Sequence, residues 1–130
     1  MTRFLIVAAG GALGSMARYG LGLAAGRLAP GAVWPWGTFA ANLIGGLLMG
    51  LLAGWLALKA GEGVDHDRMR LLIGVGLLGG FTTFSAFSLE TALMIERRQF
   101  GLAAGYAGLS VVLCVAALFA GLMIARRLWA

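Results

Sequence analysis

Gly79-Gly80-Phe81-Thr82-Thr83-Phe84-Ser85-Ala86-Phe87-Ser88 decides how this chain is read. The run lies across the middle of an apolar stretch from Leu71 to Ile95, long enough as a helix, at about 1.5 Å per residue, to cross roughly 30 Å of hydrocarbon. Two glycines followed by two β-branched threonines nevertheless form helix poorly. A break there frees backbone amides and carbonyls at mid-membrane, which is tolerated only where they face protein, water or an ion. Freed carbonyls of Gly79 and Thr82 suit a hard cation such as Na⁺. A continuous helix with a Gly-Gly notch, its threonines bonded back to the preceding turn, fits the same spacing. Both readings stay open on the residues alone.

Working outward, three further stretches of spanning length flank this one, so that residues 4–26, 37–58, 71–95 and 100–125 read as four transmembrane helices of a single domain over 1–130. The fold class is an all-α integral membrane protein. Pro30, Trp34, Pro35 and Trp36 between the first two spans combine helix breakers with interface aromatics. The second connection is the polar one, running from Lys59 through Glu62, Asp65, His66, Asp67 and Arg68 to Arg70. Glu96, Arg97, Arg98 and Gln99 suffice for one tight reversal before the last span, and both termini fall on the same side.

Composition agrees. The 130 residues are 61% hydrophobic and 12% charged, with 22 glycines, against about 25% charged in an average soluble protein. A water-soluble globule is excluded. The net charge of +5 comes from bases scattered at the ends of apolar stretches, with no basic face, so they read as membrane-interface anchors and not as a nucleic-acid surface. One Cys and one His leave no disulfide, thiolate cluster or histidine base inside the spans, and no residue set for enzymatic chemistry.

Two local imitations fail. Met1-Thr2-Arg3 before an apolar run resembles a signal peptide, but no A-x-A site precedes a soluble domain and three spans follow. The run from Phe4 to Gly14 imitates a dinucleotide-binding turn, yet Ala9 stands at the first glycine and no acid appears before Glu62. Four-residue glycine spacings at Gly10/Gly14, Gly22/Gly26, Gly46/Gly50/Gly54 and Gly101/Gly105 predict close helix packing and a self-associating bundle. Arg3, Lys59, Arg68, Arg70, Arg126 and Arg127 outnumber Arg27, Arg97 and Arg98, which favours cytoplasmic termini; counting acids narrows the bias, and insertion in both orientations stays open.

Polar groups inside the spans are mostly donors: Arg18, Thr38, Asn42, Thr82, Thr83, Ser85, Ser88, Thr91, Ser110 and Cys114. Glu90 is the one acid. Phe84, Phe87, Ser88 and Thr91 share a helix face, Tyr106, Ser110 and Cys114 recur every four residues, and Thr38 and Asn42 do the same. Ring edges are electropositive. Donors and ring edges without balancing carboxylates favour an anion route.

At this point three blocks, Gly10-Gly11-Ala12-Leu13-Gly14-Ser15-Met16-Ala17-Arg18-Tyr19, Gly37-Thr38-Phe39-Ala40-Ala41-Asn42-Leu43-Ile44-Gly45 and the run from Gly79 to Phe87, resemble the signature blocks of the Fluc/CrcB fluoride channels. The resemblance covers the whole chain. It implies an antiparallel homodimer inserted with dual topology in the bacterial inner membrane, surrounded by lipid, with two narrow pores that passively export fluoride. It implies a structural, untransported Na⁺ at the dimer centre on backbone oxygens of Gly79 and Thr82. It makes Asn42 a pore donor, Phe84 and Phe87 an aromatic box, Tyr106 and Ser110 part of a polar track, and places Glu90 near a pore mouth, with Ser88, Arg18 and Thr38 as further candidates. Cys114 departs from the family's usual hydroxyl at the end of that track, and Ala86 replaces a frequent small hydroxyl residue.

Two other classes compete. A small proton-coupled multidrug exporter also uses four helices but needs a membrane-embedded acid in its first span, where this chain has Arg18. A non-transporting assembly subunit would use the glycine faces alone.

Overall fold

The computed structural model describes residues 1–59 and 65–129. Glu62, part of the second connection, lies outside the described residues. Four helices long and apolar enough to cross a membrane, Thr2–Leu28, Trp36–Leu58, His66–Glu96 and Phe100–Trp129, make up the structure, and the described residues contain no strand. The protein is a multi-pass membrane protein. The helices run past the apolar stretches at their ends.

Local chemistry explains the ends. Helix one stops before Pro30 and Gly31, whose φ of 72° is the left-handed conformation glycine adopts freely. Pro35 precedes the first residue of helix two, where its missing N–H costs nothing, and its carbonyl accepts from Phe39 N at 3.0 Å. Asp65 caps the third helix by accepting from Arg68 N at 3.1 Å, and Arg3 pairs with Asp67 at 3.0 Å, which ties the start of helix one beside the start of helix three. The reversal before helix four closes on three backbone bonds, from Arg97, Arg98 and Gln99, with Arg98 at φ 57°.

The third helix is irregular. After one α turn, Arg70–Leu78 winds as a π-helix, Gly79–Phe81 returns to α geometry, and Phe84–Glu96 forms the second half. Helix one packs mainly against the π segment, backbone to backbone: a Cβ on Gly10 would collide with the Leu72 carbonyl and one on Gly14 with the Leu77 carbonyl. The most extensive contact joins helices two and four, where a Cβ on Gly50 would strike the Leu118 carbonyl and one on Gly121 the Leu47 carbonyl.

The glycine sets differ in what they meet within one chain. At Gly22, Gly26, Gly101 and Gly105 a Cβ would meet nothing within 4 Å. Four-residue spacing puts glycines on one face but does not say what that face meets: Gly22 and Gly26 border a groove shared with Pro35, Trp36 and Gly37, where a Cβ on Gly37 would come within 3.0 Å of the Gly22 Cα, while Gly101 and Gly105 face outward. Large apolar side chains do likewise, among them Phe4 at 81%, Phe84 at 78% and Phe119 at 60% exposure. Such surface suits lipid or another membrane helix. The small interior core gathers Met94, Ala103 and the wholly buried Tyr106, covered by Trp34, Phe39, Phe87 and Leu102.

Candidate functional site

Thr82 (φ −81°, ψ 156°) and Thr83 (φ −152°, ψ 121°) are extended between Phe81 and Phe84. Their backbone groups are met from several directions. The Thr82 hydroxyl and amide both donate to the Leu78 carbonyl at 2.9 Å, and the Thr83 hydroxyl accepts from Ala86 N at 3.2 Å, capping the helix that restarts there. From helix two, Asn42 pairs with Thr83 twice, Nδ2 donating to its carbonyl at 3.0 Å and Oδ1 accepting from its amide at 2.8 Å. From helix one, Arg18 Nε donates to the Gly80 carbonyl at 3.2 Å, bringing a fixed positive charge to carbonyls left at a helix end. Gly45 makes room for this segment, because a Cβ there would overlap the Thr82 methyl.

A groove of about 440 Å³ opens beside these extended residues, lined by Asn42, Thr82, Thr83, Phe84, Phe87, Ser110 and Cys114 among others. Ser110 is 6% exposed, and its buried hydroxyl has no hydrogen-bond partner among the described residues. An unmet buried hydroxyl is costly unless something uses it. Phe84 and Phe87 stand 5.5 Å apart at 45°, and Phe87 stands 5.3 Å from Tyr106 at 46°. Tyr106 in turn donates to Glu90 Oε2 at 2.7 Å, while Thr38 Oγ1 donates to Oε1 at 2.6 Å. Both oxygens of Glu90, the acid away from the ends of its span, are thus engaged. An unbroken series of contacts leads from Glu90 through Tyr106 and Phe87 to the groove.

Arg18 and Thr38 also line a second groove of about 390 Å³, together with Ser15 and Tyr19. Ser88 stands apart from both grooves, its hydroxyl returned to the Phe84 carbonyl at 2.8 Å, and Thr91 behaves likewise with Phe87. Gly79 is exposed at the end of the π segment.

The family model described as CrcB-like protein, Camphor Resistance (CrcB), matches residues 5–122. The chain belongs to the CrcB family. It is 64% identical over 129 residues to a Caulobacter sp. (strain K31) protein, with 99% of this chain and 98% of the relative covered. It is 63% identical to a relative from Phenylobacterium zucineum (strain HLK1) and 55% identical to one from Caulobacter vibrioides (strain NA1000 / CB15N), with both chains covered completely in each case. All three relatives are named fluoride-specific ion channel FluC. An ion channel is a function of a non-enzymatic kind.

Within this CrcB chain, sequence reasoning passed over Gly45, Thr83 and Trp34 as parts of the site. Gly45 carried a signal, since a glycine three residues after a polar Asn on a helix marks a face meant for close approach. Thr83 carried the cap pattern of a hydroxyl just before a new helix. Nothing in the spacing of Trp34 pointed to Tyr106, 72 residues later.

Proposed function

We propose that the protein is a fluoride-specific channel of the bacterial inner membrane through which F⁻ leaves the cytoplasm passively, lowering its toxicity. The observation that carries this reading is the groove, in which the unpartnered Ser110 hydroxyl and the Asn42 amide lie beside Phe84 and Phe87 with Glu90 held away on other hydroxyls. The names of the relatives support it. Fluoride is small and strongly hydrated, so a narrow route must replace its water with donors while binding weakly enough to release it. Asn42 Nδ2 has two hydrogens, and one goes to Thr83; the other remains for an ion. Ring edges of the two phenylalanines add weaker attraction, and no proton need move.

The working unit is an antiparallel, dual-topology homodimer. Its support is the high exposure of Phe84 on an apolar surface, which leaves the groove open on one side of a single chain. A structural Na⁺ at this segment belongs to the same reading: the Gly80 and Thr83 carbonyls are taken by Arg18 and Asn42, which leaves the hard carbonyl oxygens of Gly79 and Thr82 as the candidates to hold it. Two oxygens from one chain fall well short of the six or so that hard cations of this kind gather; the matching pair of a second chain raises the number to about four and brings the set closer to complete. When bound, the ion would neutralise carbonyl dipoles and hold two copies together.

Reconstituted vesicles loaded with fluoride test the function. A voltage-driven F⁻ efflux without Cl⁻ or proton flux is expected. Proton-coupled uptake of an organic cation would favour a drug exporter instead, and vesicles as tight as protein-free ones would overturn the channel.

A further inference from the structure

Trp34 lies in the connection between the first two helices, outside every membrane span, yet it reaches the interior core. Its ring stands edge-on to Tyr106 at 5.3 Å and 86°, and a second edge contact at 5.5 Å and 78° joins it to Phe39. Trp36 packs beside it at 6.0 Å. The indole Nε1 is buried with no hydrogen-bond partner among the described residues, so only ring contacts account for the placement of this side chain. Tyr106 is wholly buried and depends on two aromatic neighbours, Trp34 and Phe87, to orient a phenol whose hydroxyl reaches Glu90 at 2.7 Å. A phenol free to tilt between them would lose either the carboxyl or the ring contact that leads to the groove.

We infer that Trp34 is a positioning residue for conduction: its ring fixes Tyr106 so that the phenol hydroxyl stays on Glu90. The inference rests on the fluoride-channel reading above. A loop residue thereby controls the geometry of a route it does not line.

The test compares fluoride efflux from vesicles holding the wild type, Trp34→Leu and Trp34→Phe. Loss of positioning acts on rate by roughly tenfold or more, so Trp34→Leu should slow efflux by about that factor, and Trp34→Phe, which restores a ring, should recover most of it. The discriminating measurement is made in a Tyr106→Phe background, where no phenol remains to be aimed and Trp34→Leu should slow efflux no further. Phe39→Leu, which loosens Trp34 from its other side, should slow efflux severalfold on its own and add nothing in that background, and it serves if Trp34→Leu does not assemble. Unchanged efflux in Trp34→Leu, failure of Trp34→Phe to recover, or slowing of full size in the Tyr106→Phe background would overturn the inference. Wild-type vesicles that retain fluoride would instead sink the channel reading on which it stands.

Discussion

Asn42 is a carboxamide spent on backbone. By pairing with both the amide and the carbonyl of Thr83 it supplies what a helix would have supplied, within a membrane-spanning stretch where unmet backbone groups are costly. Asn42→Ala strands a donor and an acceptor, each worth about 1–3 kcal/mol when buried and unmet. The purified protein should therefore melt at a lower temperature and lose assembly on gel filtration, and an unchanged melt would mean that the extended segment finds other partners. Phe87 sits between Phe84 and Tyr106 and offers its ring to both. Phe87→Ile keeps apolar bulk but removes two aromatic contacts of about 0.5–1.5 kcal/mol each; fluoride efflux should fall roughly tenfold, by the correspondence of about 1.4 kcal/mol to a factor of ten, with the oligomer intact. An unaltered rate would take the ring out of the route. At this scale the sequence was legible in residue type and opaque in pairing. That Asn42, Glu90 and Arg18 matter follows from the expense of polar groups in lipid. That Asn42 meets Thr83 and Glu90 meets Tyr106 depends on how helices cross, which no spacing within one helix records.

Among the elements, the four spanning stretches were readable because hydrocarbon thickness imposes a length and lipid imposes apolarity on all sides. Their capping and curvature were not. The π segment Arg70–Leu78 leaves the same apolar signature as an α-helix, and the backbone contact of Gly10 and Gly14 with it becomes visible only in three dimensions. Glycine spacing indicated which faces are smooth without telling the faces that pack from those that do not, so Gly46, Gly50 and Gly54 looked no different from Gly101 and Gly105. Gly45 offers a clean contrast. Alanine within a helix is favoured over glycine by about 1 kcal/mol, and Gly105→Ala, with open space around it, should realise that gain as a higher melting temperature. Gly45→Ala meets the Thr82 methyl and must displace the extended pair, so it should lower both the melting temperature and fluoride efflux despite the better propensity. Equal behaviour of the two variants would show that the segment gives way at no cost.

For the whole molecule, a single chain leaves Phe84 and one side of the groove uncovered, which is what the proposed pair of chains would cover. If a Na⁺ joins that pair through Gly79 and Thr82, exchanging Na⁺ for a large organic cation should weaken assembly or slow conduction, read by gel filtration and by efflux from the same preparation. Indifference of both to the exchange would remove the ion from the design. The uneven distribution of bases between the two sides sits beside a proposed mixture of orientations, and labelling of engineered single cysteines from each side of intact cells would measure that mixture directly.

The pair of hydrogen bonds between Asn42 and Thr83 also bears on how the chain is made. Synthesis runs from the amino end, so the carboxamide is already in the bilayer before the two threonines leave the ribosome, 41 positions later. The awkward segment therefore enters a membrane in which its partner is waiting. Reversing that order, by a circular permutation that starts at the third helix, would send bare peptide groups into lipid ahead of the side chain that shields them.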